Sequence, residues 1–267
     1  MKLTGLNIVI TGASSGIGLA VLNLLAKEKT NRILAVARNA VQLLAYYAEN
    51  VEPFDADIGS EEGVRSVFRE ADNVFHGQKI DLFYANAGFA YYEEFDYTDV
   101  GRIEDLFRTN TFSPMITYAK YLEHLDGREG TLAFTVSGIG LIALPGYAVY
   151  SASKFALDGF QQAVRLEKPD SLTLVCLYPI ATDTPFFRKA SPYPFKKPFP
   201  VQRPETVAKK MVEGLAKGKD HVSPSAAFSA FRYLSTAIHP LRSLYWAEET
   251  AKFRRFKKTV GRIRGLL

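Results

Sequence analysis

Tyr150 and Lys154 stand four residues apart in the run Tyr-Ser-Ala-Ser-Lys, with Ser137 thirteen residues upstream. On a helix, positions four apart share a face and lie one turn from each other. An ammonium so placed favours the ionised form of a phenol whose ordinary pKa is about 10. The chemistry on offer is proton transfer to or from a substrate oxygen. Tyr/Lys pairs at this spacing are common on solvated helix faces, and Ser137 taken alone reads equally as a strand-end turn former. What distinguishes the set is the order of the elements that must position it.

Those elements alternate. Short apolar runs at residues 6–11, 32–37, 51–55, 80–85, 131–137 and 171–178 read as buried strands. Between them, amphipathic stretches at 16–28, 41–48, 61–75, 98–125 and 150–166 read as helices, the fourth interrupted near Ser113-Pro114. The expected fold is α/β, a Rossmann-like doubly wound parallel sheet of about seven strands with helices on both faces. Such sheets bind ligands beyond the carboxyl ends of their strands, where strand order reverses. The proline-rich stretch 191–200 interrupts the alternation and reads as a loop.

Between the first strand and first helix lies Thr11-Gly12-Ala13-Ser14-Ser15-Gly16-Ile17-Gly18. Glycines there permit a tight turn and let the backbone approach a pyrophosphate, which the free N–H groups of the helix start attract. Gly12, Ser14, Ser15, Gly16, Ile17 and Gly18 are therefore candidate dinucleotide contacts, although the spacing is not the common G-x-G-x-x-G. The second strand ends at Ala37 and is followed by Arg38. An NAD site usually carries a carboxylate here for the ribose 2′-hydroxyl, whereas an arginine accommodates a 2′-phosphate. NADP(H) is accordingly expected in preference to NAD(H).

With Asp57-Ile58, Asn86-Ala87-Gly88, Asn110 and Pro179 followed by Thr184 added in order, residues 5–220 resemble the short-chain dehydrogenase/reductase family. The resemblance implies that Tyr150 is the general acid/base and that Lys154 lowers its pKa and bonds the nicotinamide ribose. It further implies that Ser137 holds the substrate oxygen and that Asn110 supports a proton-relay water. Asp57 and Ile58 would meet the adenine, and Asn86, Ala87 and Gly88 would border the cofactor channel. Pro179 and Thr184 would close it. One departure is Ile180 after Pro179, where the family usually has glycine. A fold that kept the cofactor and lost the chemistry, serving as a regulator or scaffold, is the alternative; the complete Asn110, Ser137, Tyr150 and Lys154 set argues for the enzyme.

The 47% hydrophobic share is enough to bury one large core, expected over residues 1–225 with 226–267 as an extension of the same domain. The lone Cys176 excludes an internal disulfide and suits the cytoplasm. The N-terminal apolar run is too short for a signal peptide or a membrane span. The four histidines lack metal-ligand spacing, so no metal is expected. Of the net charge of +5, residues 241–267 carry +6 and the rest −1, which disfavours nucleic acid.

The lid stretch 181–200 mixes Phe186, Phe187, Tyr193, Phe195 and Phe199 with Arg188, Lys189, Lys196 and Lys197, and Leu144 and Tyr147 would face it. A hydrophobic substrate with an anionic end would suit that mixture, so a lipophilic carbonyl or alcohol is expected; a lid packed on its own protein is the equal alternative. In the tail, Phe253, Phe256, Val260 and Ile263 recur at helical spacing among six cations. Two readings stand: this stripe covers its own domain or a second subunit, or it lies on an anionic membrane. The first is favoured. The family commonly forms dimers or tetramers through the helices that here carry Asn110 and Tyr150, so a homo-oligomer is also expected.

Overall fold

The computed structural model describes residues 1–40, 43, 49–96 and 100–264. The helix expected at 41–48 lies outside the described residues, save position 43. In chain order come β1 (Asn7–Thr11), α1 (Gly16–Leu25), β2 (Arg32–Ala37), β3 (Val51–Asp55), α2 (Glu61–Val74) and β4 (Leu82–Ala85). Then follow α3 (Val100–Phe107), a π-helical turn (Arg108–Phe112), α4 (Ser113–Leu125), β5 (Gly130–Thr135), α5 (Ala148–Glu167) and β6 (Leu172–Leu177). The chain continues with α6 (Phe186–Ala190), α7 (Pro204–Ala216), β7 (His221–Val222), α8 (Ala226–Ala237) and α9 (His239–Arg264).

The seven described strands form one sheet in the order β3-β2-β1-β4-β5-β6-β7, every pair parallel. Strands β1, β2, β4, β5 and β6 are buried on both faces, and the period of two sorts their side chains. Ile8, Ile10, Leu82 and Tyr84 meet α1 and α7, through Val21, Leu22, Leu25, Val207 and Met211. Val9, Phe83, Leu132 and Phe134 meet α2, α4 and α5, through Val67, Tyr121, Leu125, Leu157 and Val164. Strand order reverses between β1 and β4, so a crevice opens beyond their carboxyl ends.

Three local features shape that crevice. The expected break in the long helix is the π-helical turn, which immediately precedes Pro114. Proline has no N–H to give the carbonyl four residues back, and the widened turn absorbs the loss while turning Asn110 inward. After β6 the lid stretch 181–200 holds the short helix α6, and its base is closed by Gln202 N–H to Ala181 O (2.8 Å) and Asp183 N–H to Gln202 O (2.8 Å). At α8, the Ser225 hydroxyl accepts from Phe228 N–H at 3.1 Å and sets the helix start.

The tail stripe is used within the chain. Phe256 is buried, and Phe253 and Val260 pack with it against Tyr92, Tyr147, Phe187 and Phe195. Tyr92 is the hub, with ring centroids 4.1 Å from Phe195 and 4.7 Å from both Tyr147 and Phe256. This is the favoured reading of the stripe.

At the turn after β1, Gly12 has φ +67° and its hydrogen faces the Ala87 backbone; a Cβ would fall 2.8 Å from Ala87 Cα. A Cβ on Gly18 would fall 2.2 Å from Gly12 O and 2.5 Å from Asn86 Nδ2. Gly18→Ala is therefore expected to cost about 3 kcal/mol by overpacking. The check is the urea midpoint of unfolding, and an unchanged midpoint would show that the turn has room.

Candidate active site

Carboxyl ends of the central strands frame one cavity of about 660 Å³. Gly12, Ser14, Ser15, Gly16 and Ile17 line its nucleotide end, and Arg38, Asp57 and Ile58 border it beyond β2 and β3. Asn86, Ala87 and Gly88 form its middle, followed by Ser137, Tyr150 and Lys154, with Pro179 and Thr184 across from them. The glycine cradle fits a pyrophosphate: Gly12 and Gly16 hold positive φ, and Thr184 lies against Gly16, 3.1 Å from where its Cβ would be. Arg38 is exposed at the rim where the expected carboxylate of an NAD site is missing. The residues present therefore suit a nicotinamide dinucleotide.

Two expected site residues do not reach the cavity wall. Gly18 sits behind the turn, where it lets α1 pack on Gly12 and Asn86. Asn110 is fully buried beneath the cavity, its Nδ2 donating to Phe89 O (2.8 Å) while its Oδ1 accepts from Phe89 N–H (3.1 Å). Asn110 thus clamps the strand extension after Gly88 as a backbone mimic, and it also donates to Ser153 Oγ at 3.3 Å. A Cβ on Gly88 would come 3.0 Å from Asn110 Oδ1 and 3.6 Å from Lys154 Nζ, so this clamp borders the lysine.

Thr135, which no motif marks, ties the site to the sheet. Its carbonyl accepts from Lys154 Nζ at 2.9 Å, and its hydroxyl donates to Asn86 Oδ1 at 3.0 Å. Tyr84 OH shares a 2.7 Å hydrogen bond with the same hydroxyl, while Asn86 Nδ2 donates to Thr11 O at 3.1 Å. Strands β1, β4 and β5 are thereby locked at the ends where the ligand would lie. Ser137 has φ +107°, a strained value for a side chain with a Cβ. Its neighbours hold it there: Ser137 N–H donates to Leu177 O (3.3 Å) and Gly138 N–H to Pro179 O (2.8 Å).

Burial dominates the electrostatics. It pushes the Tyr150 phenol up to about 12, and the hydrogen bond from Ser137 pulls it partly back. It pulls the Lys154 ammonium down from 10.5 to about 7. The expectation that Lys154 draws the tyrosine down is not met in the protein alone. Both groups share a dry pocket where charge of either sign is penalised.

The far end of the cavity is apolar. Leu144, Tyr147, Phe186, Phe187 and Phe199 line it as expected, whereas Tyr193 and Phe195 pack in the aromatic cluster around Tyr92 instead. The remaining wall comes from the tail: Phe228 and Phe231 on α8 and Tyr245 on α9, with the Phe231 and Tyr245 rings 5.3 Å apart. Their aromatic spacing was visible, but nothing in it pointed at a site more than 70 residues upstream. Ile180, the departure from glycine, also lines the cavity and packs 3.4 Å from where a Cβ on Gly138 would lie.

The sequence pattern of short chain dehydrogenases matches residues 6–193. The chain belongs to that family. It is an oxidoreductase of the kind that interconverts carbonyls and CH–OH groups with a nicotinamide cofactor. Among relatives, it is 26% identical to a 3-ketodihydrosphingosine reductase of Dictyostelium discoideum, over 90% of this chain and 80% of that protein. Its fold superposes on a short chain dehydrogenase of Burkholderia cenocepacia in complex with NADP (TM-score 0.77, 22% identity, 92% of this chain and 99% of that one). It also superposes on a short chain dehydrogenase/reductase of Burkholderia phymatum in complex with NAD (TM-score 0.75, 19% identity, 91% and 96%).

The lysine's depressed pKa has a consequence for stability. Between about pH 7 and about pH 10 the unfolded chain holds a proton on Lys154 that the folded, cofactor-free protein lacks. Folding stability must therefore rise with pH across that window and be lost again as pH falls towards 7. Measured by urea unfolding, wild type is expected to gain stability relative to Lys154→Met over this range. A flat difference would show that the buried lysine keeps its ordinary pKa.

Proposed function

We propose that the protein is an NADP(H)-dependent oxidoreductase interconverting a lipophilic carbonyl and its alcohol, with Tyr150 as general acid/base. The observation that carries this reading is the single cavity on which Ser137, Tyr150 and Lys154 converge, between a glycine cradle flanked by Arg38 and an aromatic arm. A nicotinamide held there supplies or accepts the hydride. In the reducing direction, Tyr150 gives its proton to the substrate oxygen, and Ser137 donates to the same oxygen as negative charge develops on it. A phenol held near 12 enters that step fully protonated at neutral pH. Lys154, anchored on Thr135 O, holds the ribose and steadies the phenolate that the transfer leaves. Asn110 acts through Phe89 and Ser153 as a positioning residue.

Arg38 supports NADP(H): its cation stands at the end of β2, where a 2′-phosphate would lie and no carboxylate would repel it. The aromatic arm, together with the similarity to a 3-ketodihydrosphingosine reductase, supports a lipophilic substrate. Tyr147 offers that substrate a polar contact, since its buried hydroxyl has no hydrogen-bond partner among the described residues. We read residues 226–267 as part of the same domain as 1–225, because α8 and α9 complete this wall. Phe112, Phe155 and Leu166, exposed on the π-helical turn and α5, support self-association through these helices. The free, buried Cys176 supports a reducing, cytoplasmic setting.

Two substitutions test the reading. With NADPH and a panel of long-chain ketones, Tyr150→Phe is expected to lower kcat about a hundredfold to ten-thousandfold while NADPH binding is kept. Undiminished turnover would remove Tyr150 from the chemistry. Arg38→Gln should raise the KM for NADPH about tenfold or more and leave that for NADH within about twofold. Equal shifts for both would mean that Arg38 does not read the 2′-phosphate.

A further inference from the structure

The apolar stripe of α9 that faces the domain is spent, but the opposite face is not. Along α9 the outward positions begin with Pro240, Leu244 and Ala247, all exposed, Leu244 at 69%. About two to four turns later the same face carries Arg254, Arg255, Lys258 and Arg262, also exposed. At 1.5 Å per residue the helix runs about 39 Å, so an apolar half and a cationic half lie end to end on one side. The outward face of α8 adds Tyr233 and Leu234 (65% and 52% exposed), and Ile238 at the corner is exposed as well. Residues 221–247 contain no Asp or Glu, and Glu248, the next carboxylate, is held by Lys252 at 3.2 Å.

Large apolar side chains in water at the start of a face that turns cationic are the arrangement that enters a headgroup region from above. Arginines accompany them. Arg232 lies over the Tyr233 ring at 4.9 Å, and Arg242 over Trp246 at 5.8 Å. Arg242 borders a cleft of about 270 Å³ in the crook of the two helices, beside Ser235, Thr236, Ser243 and Trp246. Its Nε is buried and has no acceptor among the described residues. Such a group is costly unless an anion meets it, and a guanidinium suits a phosphate.

We propose that the α8–α9 corner and the outward face of α9 dock on an anionic lipid bilayer, with Tyr233, Leu234, Ile238 and Leu244 in the interface and a headgroup phosphate at Arg242. The inward faces of these helices carry Phe228, Phe231 and Tyr245, which line the active-site cavity. A lipid drawn from the bilayer would therefore meet the aromatic arm directly. That supply route rests on the lipophilic-substrate reading; the docking does not, and it is measured without any substrate.

The test is flotation of the full chain with vesicles of phosphatidylcholine, with or without phosphatidylserine. Wild type is expected to float with the phosphatidylserine vesicles and to be released by high salt. The double variant Leu234→Ser/Leu244→Ser should lower partitioning about tenfold or more, and Arg242→Gln about fivefold, on those vesicles. Unchanged thermal transitions and NADPH binding confirm that both variants are folded. Wild type remaining in the dense fractions, or the leucine variant floating as well as wild type, would overturn the proposal. So would a concentration-dependent dimer, seen by light scattering, that Leu244→Ser abolishes while flotation is unchanged, because a second copy would then be the occupant.

Discussion

A lysine ammonium with almost no solvent contact, Lys154, sets the terms for the centre of this molecule. A buried cation must be met by acceptors or give up its proton. Here it meets one carbonyl, that of Thr135, and burial draws its pKa down. That carbonyl can serve because β5 ends there, and Thr135's own hydroxyl is tied through Asn86 to the end of β1. The reversal of strand order, the widened helical turn that carries Asn110 and the strained backbone at Ser137 all surround this one charge. Hydrogen bonds through Thr135 and Asn86 tie Lys154 to the ends of β1 and β5.

The cavity around this centre fits an anionic, hydroxyl-bearing ligand. Burial holds Tyr150 up near 12 and draws Lys154 down to about 7, so in the protein alone it favours the neutral form of each group. A dinucleotide would bring negative charge and ribose hydroxyls to Lys154, restoring its charge and with it the pull on Tyr150. Cofactor binding and acid–base competence are then coupled through desolvation. The candidate residues Ser137, Tyr150 and Lys154 and the glycine cradle open on the same cavity.

The tail changes the character of that cavity. Its inward face supplies aromatic side chains to the apolar end of the cavity and to the cluster around Tyr92. Its outward face leaves apolar side chains in water beside cations. Among the described residues, no helix is long and apolar enough to cross a membrane.

Much of this was legible in the sequence. Strand runs and helix periods gave the alternation, because the burial of parallel strands on both faces demands continuous apolar stretches. The glycine turn, Arg38, Ser137, Tyr150 and Lys154 could be selected because their chemistry depends on residue type and local spacing. What local spacing cannot carry is contact across the chain. Thr135 matters through its carbonyl, which any residue would possess, and Asn110 turned out to hold Phe89 beneath the cavity wall. Gly18 looked like a phosphate contact and serves the packing of α1. The tail's amphipathic pattern was plain, yet which face is spent and which is left to solvent depended on Tyr92, Tyr147 and Phe195, far away in sequence. The sequence alone determined the fold class and the reactive groups, since both follow from local pattern. Burial, and with it the pKa values, the cavity wall and the free surface, was decided only when the chain closed on itself.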